Sequence, residues 1–175
     1  MATRAALKCA ESFEAERPKA GDESGQTISS QYEVPYEEKL PSKDDIHAIF
    51  EPLSRGEILT FFENVADDVD WTVKGTFFEM AGHYTSKKDL REKMKVLNAV
   101  FATPLKLVVK HILWDGLYAA VELRAEDTYC KNGLPFINEY AWICRFGGQN
   151  KIVEVRAYMD TDFVTRAIAQ NKELP

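Results

Sequence analysis

Residues 105–160, LKLVVKHILWDGLYAAVELRAEDTYCKNGLPFINEYAWICRFGGQNKIVEVRAYMD, decide the fold of this chain. Four segments of this stretch alternate apolar and polar residues with a period of two, which is typical of half-buried β-strands. Asp-Gly, Asn-Gly and Gly-Gly dipeptides separate the segments, and such pairs favour tight hairpins. The stretch therefore predicts a four-stranded antiparallel meander.

Helical patterns precede the meander. Residues 44–65 carry apolar residues at helical spacing behind a capping signal at Ser42. Pro52 and Gly56 interrupt this pattern and predict two short helices in place of one long helix. Residues 82–104 predict a further helix, which is capped near Ser86.

A strand and a final helix complete the predicted elements. Residues 67–75, DDVDWTVKG, are typical of a strand that Gly75 ends, and residues 161–171, TDFVTRAIAQN, predict a short closing helix. Helices first and an antiparallel meander second predict an α+β fold.

Composition excludes several classes of function. The 175 residues suit one domain, and the net charge of −6 disfavours nucleic-acid binding. We find no apolar run that approaches the ~20 residues of a membrane span, and no apolar core of a secretory signal. Three cysteines without paired spacing are typical of reduced thiols in a cytoplasmic protein.

Cofactors and metals are not expected. The three histidines, His47, His83 and His111, are far apart in sequence and have no paired metal-ligand spacing. The segment FGGQNK predicts a hairpin turn, because the helix that a phosphate-binding loop requires does not follow it.

The first 43 residues differ from the rest in composition. They are rich in proline, serine, glycine and glutamate, and we interpret residues 1–43 as an extension ahead of a folded domain at residues 44–170. Tyr32, Val34, Tyr36 and Leu40 offer a segment that docks on the domain or on a second subunit. The alternative is a tail without a fixed contact.

The two faces of the meander have different compositions. One face, predicted to be the inner one, is almost entirely apolar and collects Leu105, Leu107, Val109, His111, Leu113, Ala119, Val121, Leu123, Ala125, Asp127, Ile137, Glu139, Ala141, Ile143, Val153, Val155, Ala157 and Met159. The other face mixes charges with aromatic residues, among them Tyr140, Trp142, Arg156 and Tyr158. Such a mixture is typical of a subunit interface, so we predict a homodimer, with a solvated face as the alternative.

The order of the elements resembles a known family. The segments VADDVDWTVKG, AGHYTSKKDLR, NGLPFINEYAWICRF and KIVEVRAYMDT are similar to the SnoaL-like branch of the NTF2-like superfamily over residues 55–168. The resemblance implies a cone-shaped α+β barrel, in which N-terminal helices cover a curved antiparallel sheet. It also implies a pocket for a small polyketide- or terpenoid-like molecule.

The chain departs from the family where the family carries its acid. Relatives hold an acid on the last strand, at the third position before the closing aspartate, and here that position is Ala157. Limonene epoxide hydrolase, another member of the superfamily, uses an arginine and an aspartate two residues apart on the long middle strand. These fall on Leu123 and Ala125 in one alignment, and on Arg124 and Glu126 in the other.

Four titratable residues are candidates for acid/base catalysis. Glu139, His111 and Asp127 have the phase of the inner face, where burial shifts a pKa toward catalytic values. His83 lies in a loop that the resemblance puts near the pocket mouth. The alternatives are a rim position for Glu139, a core histidine at His111, a strand-end hydrogen bond at Asp127 and a purely structural loop at His83.

Six residues are candidates for ligand binding. Trp71 offers a flat platform for an apolar molecule, although a tryptophan is an equally good core residue. The full set is Trp71, Val73, Tyr84, Leu123, Ala157 and Met159.

Two functions remain open from the sequence. One is a cofactor-independent cyclase, isomerase or dehydratase with acid/base groups in its pocket. The other is a non-catalytic dimeric protein that binds a small molecule or a partner.

Overall fold

The computed structural model describes residues 40–172, and the predicted N-terminal extension lies almost wholly outside these residues. Four α-helices and six β-strands follow one another in the described part of the chain. In chain order they are α1 (Lys43–Ser54), α2 (Ile58–Glu63), β1 (Val65–Val73), β2 (Gly82–Tyr84), α3 (Lys87–Asn98), β3 (Leu107–Trp114), β4 (Tyr118–Ala125), β5 (Glu139–Phe146), β6 (Ile152–Met159) and α4 (Thr161–Asn171).

All six strands form one curved, unclosed sheet in the order β2-β1-β6-β5-β4-β3. Strands β3 to β6 form the predicted antiparallel meander. The α+β prediction is confirmed, but a wholly antiparallel sheet is wrong, because β1 pairs with β6 in parallel. The long chain between these two strands supplies the crossover that a parallel pair requires. Residues 82–84 form the edge strand β2, which the sequence pattern did not predict.

Local signals explain the helix boundaries. Ser42 and Asp45 form a reciprocal capping box at the start of α1, and Ser86 caps α3. Gly56 lies at φ +75° in the turn between α1 and α2, a conformation that favours glycine. The predicted break is therefore confirmed at residues 55–57, although Pro52 lies inside the last turn of α1.

The core lies between the sheet and the first two helices. Phe61 of α2 is its aromatic centre, with ring centroids 5.2 Å from Phe50 and 6.0 Å from Trp142. Trp71 of β1 meets the same Trp142 ring edge to face at 5.2 Å. Offset and edge-to-face aromatic pairs add stability beyond the buried area, so this cluster anchors α2 on the sheet.

A β-bulge reverses the predicted phase of β3. Val109 pairs with Leu123 and His111 pairs with Glu122, so Lys110 is an extra residue without a partner in the ladder. Beyond the bulge Ile112 points inward, whereas His111 and Leu113 are exposed. The predicted inward placement of His111 and Leu113 is therefore wrong.

The predicted phase of β5 is also wrong. Tyr140, Trp142, Cys144 and Phe146 are buried, and Glu139 lies on the opposite, exposed side. The loop before β5 explains the error: β4 ends at Ala125, and the next thirteen residues contain turns and isolated bridges in place of a tight Asn-Gly hairpin.

Strand β6 confirms the inward placement of Ala157. This residue is almost fully buried and pairs with Val73 of β1 and Trp142 of β5. Val153 is the extra residue of a second bulge, since Arg145 pairs with Glu154 and Phe146 with Ile152.

No helix within residues 40–172 is long and apolar enough to cross a membrane.

Candidate functional site

The inner face of the sheet and helices α2 and α3 enclose an apolar pocket of about 60 Å³. Its walls come from five strands and two helices, so residues far apart in sequence meet there. The lining residues are Ile58, Phe61, Phe62, Trp71, Val73, Met80, Tyr84, Leu90, Lys93, Met94, Leu97, Leu105, Leu107, Tyr140, Trp142, Ala157 and Met159.

Methionines give the pocket an adaptable wall. Met80, Met94 and Met159 all line it, and they are the three methionines of residues 40–172. The unbranched, polarizable methionine side chain fills irregular gaps and changes rotamer at small cost. The pocket can therefore change its shape without movement of the backbone.

An open groove of about 530 Å³ lies beside the pocket, between α2 and α3. Ile58, Phe62 and Met94 line both spaces. Exposed basic residues, including Lys88 and Arg91, lie on the solvent side of the groove. The boundary between groove and pocket is therefore formed by the flexible side chain of Met94 and by the more rigid side chains of Ile58 and Phe62.

Tyr84 is a polar residue of the pocket with a partner of its own. Its hydroxyl donates a hydrogen bond of 2.8 Å to the carbonyl oxygen of Met80. Burial raises the pKa of the Tyr84 phenol, so the group stays protonated at neutral pH. This bond links Met80, in the loop between β1 and β2, to Tyr84 of β2, and both residues line the pocket.

Strand β5 brings further polar groups to the inner side of the sheet. Tyr140 and Trp142 line the pocket and are only 7% and 6% exposed. The Tyr140 hydroxyl lies beside the side-chain amide of the buried Asn138, whereas the Trp142 Nε1–H makes no hydrogen bond within the described residues. Burial raises the pKa of the Tyr140 phenol, and the nearby Asn138 amide partly offsets this rise. An unpaired buried donor costs about 1–3 kcal/mol.

Five of the six predicted ligand-binding residues line the pocket. They are Trp71, Val73, Tyr84, Ala157 and Met159. Leu123 is buried on the same inner face but lies outside the lining. A ligand-binding role for these residues stays a prediction.

Glu139 and His111 lie on the other surface of the sheet. The side chain of Glu139 is 75% exposed and faces Arg124 at 4.0 Å. The His111 side chain is 74% exposed, and its Nδ1 lies 2.7 Å from a carboxylate oxygen of Glu122. Their catalytic roles stay predictions, but the pocket does not bring these groups together.

His83 and Asp127 are exposed as well. On β2, Nε2 of His83 lies 2.9 Å from a carboxylate oxygen of Asp70. Asp127 follows β4 in a turn with φ +46°. The structure therefore does not bring any of the four acid/base candidates into the pocket.

Sequence reasoning missed Tyr140 and Trp142 as pocket residues. A signal was present, because Glu139 and Arg145 share one phase of β5 while Tyr140, Trp142 and Phe146 share the other. Charged residues rarely face a core without a partner. Charge alone thus points to the aromatic phase as the inner one.

Buried cysteines do not form a reactive or metal-binding cluster in residues 40–172. Burial raises the pKa of both the Cys130 and the Cys144 thiols, which keeps them protonated. Among the described residues, no group of three or more histidine, cysteine, aspartate or glutamate side chains is placed to hold a metal ion.

Solved structures share this architecture. An NTF2-like protein of unknown function from Burkholderia pseudomallei is similar over 70% of this chain and 93% of its own, with 17% identity and a TM-score of 0.59. TerC, co-crystallized with polyporic acid, is similar over 71% and 95%, with 15% identity and a TM-score of 0.59. A hypothetical protein with a ketosteroid isomerase-like fold from Catenulispora acidiphila, in complex with trimethylamine, is similar over 74% and 95%, with 12% identity and a TM-score of 0.56.

Sequence comparison adds no closer relative. No protein-family model matches the chain, and no curated protein matches it. At these identities the solved structures define the fold, which is the fold that the sequence resemblance predicted.

Proposed function

We propose that this chain, whose domain has the NTF2-like fold, binds a small hydrophobic molecule in the pocket between its sheet and helices α2 and α3. The observation that carries the proposal is the lining itself. Apolar and aromatic side chains form almost all of its surface, and Tyr84, Tyr140, Trp142 and Lys93 contribute to it through their apolar parts. Ligand sites of small molecules have this composition.

Pocket size limits the ligand. About 60 Å³ is well below the ~300–1,000 Å³ of pockets that enclose drug-sized molecules. A compact molecule enters without rearrangement, whereas a polyketide- or terpenoid-like molecule requires the pocket to widen. A rotamer change of Met94 toward solvent joins the pocket to the adjacent groove and provides that space.

Binding without acid/base chemistry is the better supported function. The residues that line the pocket include no aspartate, glutamate or histidine within the described chain. The last strand contributes Ala157, where relatives of the resembled family carry an acid. General acid/base catalysis needs a titratable group within hydrogen-bond reach of the reacting atom. Burial raises the pKa of the Tyr84 and Tyr140 phenols, so both stay protonated and neither serves as a base at neutral pH.

The binding proposal predicts that Ala157→Leu blocks the pocket. A probe of toluene, titrated into protein labelled with ¹³C at the methionine methyl groups, shifts the signals of Met80, Met94 and Met159 in the wild type. The larger side chain fills the cavity, so we expect these shifts to fall at least 10-fold at equal probe concentration. Overpacking costs about 1–3 kcal/mol, so each variant is first checked for cooperative unfolding.

Ala141→Leu is the matched control. Ala141 lies on the neighbouring strand β5 with the opposite phase, and its side is not the pocket side. This variant should bind toluene as the wild type does. Methionine signals that do not move in the wild type, or that move equally in Ala157→Leu, would contradict the proposal.

We also propose that the outer face of the sheet joins two copies of the chain. The outer face is defined by two cross-strand rows, His111-Glu122-Ala141-Tyr158 and Leu113-Ala120-Ile143-Arg156. Leu113 and Tyr158 are exposed there, and Arg156 lies over the Tyr118 ring at 5.3 Å. Aromatic, arginine and aliphatic side chains are thus exposed on this face, and its charged groups pair with one another, as His111 does with Glu122. Such a surface favours contact with a second copy of the chain over contact with solvent.

The interface proposal predicts that Tyr158→Asp shifts the protein from dimer to monomer. An aspartate in the middle of the contact removes the aromatic area and adds an unpaired charge. We therefore expect the dissociation constant of the dimer, measured by analytical ultracentrifugation, to rise at least 10-fold. Tyr129→Asp is the control, because Tyr129 is equally exposed but lies in the loop before β5. A wild-type monomer at high concentration, or equal effects of both variants, would contradict the interface.

A further inference from the structure

The groove between α2 and α3 has more positive than negative side chains. The charged residues that line it are Lys87, Lys88, Arg91, Lys95, Asp67 and Glu92. The whole chain has a net charge of −6, so the groove has the opposite sign to the rest of the protein. A local excess of positive charge attracts anionic ligands.

Both carboxylates of the groove already have a partner. The Nζ atom of Lys87 lies 2.7 Å from a carboxylate oxygen of Asp67. The Nζ atom of Lys95 lies 2.7 Å from a carboxylate oxygen of Glu92. These carboxylates therefore do not neutralise the two other cations of the groove.

Lys88 and Arg91 are the two cations that lack a carboxylate partner. Within residues 40–172 neither of them forms an ion pair, and both are exposed. They are three residues apart on α3, so their side chains lie on the same side of the helix. The Arg91 guanidinium lies over the Phe62 ring, 6.0 Å from its centroid. Since Phe62 lines both spaces, the charge of Arg91 lies where groove and pocket meet.

An apolar surface continues from the pocket into the groove. Ile58, Phe62 and Met94 line both spaces, and Leu59 extends the apolar surface on the groove side, where it is 60% exposed. A rotamer change of Met94 opens the passage between them. A ligand in this passage meets apolar groups at one end and unpaired cations at the other.

We propose that the bound molecule is an amphipathic anion, with its apolar body in the pocket and its carboxylate or phosphate head in the groove against Arg91 and Lys88. This inference rests on the proposed binding function and specifies the class of ligand. Arginine binds either head through paired N–H donors, and lysine adds a point charge. The pocket receives only the neutral, apolar part, so the large cost of burying a charge does not arise.

The test compares three probes with the same alkyl chain. Hexanoate, 1-hexanol and hexylamine have a negative, a neutral and a positive head at pH 7. In NMR titrations the Met94 methyl signal reports the chain, and the Arg91 Nε–H signal reports the head. We expect hexanoate to bind about 10-fold more tightly than hexylamine and to move the Arg91 signal. Added NaCl should weaken the binding of hexanoate and not that of 1-hexanol.

Two variants remove the cations. Arg91→Gln and Lys88→Gln should each raise the ratio of the hexanoate to the 1-hexanol dissociation constant by about 3-fold, and the double variant by about 10-fold. The ratio cancels any general change in the pocket. Arg166→Gln is the matched control, because it removes an exposed arginine from α4, outside both linings. This control should leave the ratio unchanged.

Lys93 provides a test of where the head lies. This lysine is also on α3, but it lines the pocket and not the groove. Lys93→Gln should therefore leave the ratio of the two dissociation constants unchanged. A change of the ratio in Lys93→Gln, with none in Arg91→Gln, would show that the head lies outside the groove and would overturn the proposal.

The outcomes separate this inference from the binding function. If no probe moves the Met94 signal, the proposed binding function is wrong. If 1-hexanol binds and neither Arg91→Gln nor Lys88→Gln changes the ratio, binding is correct and the anionic ligand is wrong. Hexyl phosphate, titrated in the same way, distinguishes the two heads, because the preferred head shows the larger dependence on Arg91. Both cations are exposed, so their substitution leaves the core intact.

Discussion

We expect the substitution Ala157→Asp to lower the free energy of unfolding by about 4 kcal/mol at pH 7, which corresponds to a pKa rise of about three units on burial of a carboxyl group. Ala157 lies on the central strand β6, between Val73 and Trp142, and is almost fully buried. A carboxylate at this position faces aromatic and aliphatic side chains. Water does not compensate its charge there, so the folded state favours the protonated acid.

The direction of the pH dependence follows from this shift. The folded pKa lies above the unfolded value of about 3.9, so the penalty is absent below pH ~3.9 and grows until the pH exceeds the folded pKa. Urea unfolding between pH 3.5 and 8 measures it, with Ala157→Asn as the neutral control of the same size. The two variants should be equally stable at pH 3.5 and diverge as the pH rises.

A small difference between the two variants would change the proposed function. If Ala157→Asp and Ala157→Asn differ by less than about 1 kcal/mol at pH 7, the pocket stabilises a carboxylate. A site for neutral, apolar molecules would then be wrong, and an acid/base site would become the better interpretation.

We expect the substitution Phe61→Ala to lower the free energy of unfolding by about 3–5 kcal/mol. Phe61 is completely buried, and its ring contacts Phe50, Phe62 and Trp142. Alanine is a good helix former, so the substitution does not weaken α2 through helix propensity. The loss of stability arises from the lost transfer free energy of the buried ring and from the cavity that the ring leaves. Denaturant unfolding followed by tryptophan fluorescence measures it.

Leu59→Ala is the control on the same short helix. Leu59 is exposed two residues earlier, so its truncation should change stability by less than about 0.5 kcal/mol. Equal losses for the two variants would mean that the aromatic cluster does not anchor α2. The enlarged pocket of Phe61→Ala should also bind toluene more tightly than the wild type does.

Periodicity in the sequence predicts the elements of this fold well. The strand ended near Gly75, the break at Gly56, the cap at Ser86 and the closing helix at residues 161–171 all agree with the structure. Each of these depends on a local cause, such as a capping side chain or a glycine conformation. Local causes act through neighbouring residues, so they are visible in the sequence.

Side-chain direction is predicted less well, because one extra residue reverses it. Lys110 and Val153 are the extra residues of two bulges, and beyond each of them the inward and outward positions exchange. A bulge depends on the partner strand, which the period of a single segment does not describe. For this reason the periodicity of β3 alone predicts an inward His111, whereas the structure exposes it.

The prediction of the candidate site depends on side-chain direction in the same way. Trp71, Val73, Ala157 and Met159 line the pocket as predicted, since they lie on strands whose phase was correct near the pocket. The periodicity of the sequence predicts an outward Tyr140 and Trp142 and an inward Glu139, which is the reverse of the structure. The loop of residues 126–138 replaced the expected tight turn and shifted the phase of β5 by one residue.

The parallel pairing of β1 with β6 has a consequence for the order of folding. Val65 pairs with Ile152, so the middle of the sheet requires contacts between residues that are far apart in the chain. Closure of such a large loop costs entropy before any contact is made, and topologies of this kind fold slowly. During synthesis β1 leaves the ribosome long before β6. The apolar side chains of β1 are not covered by the complete sheet until β6 has been synthesised. Chaperone binding and aggregation of the nascent chain are most favoured in this interval.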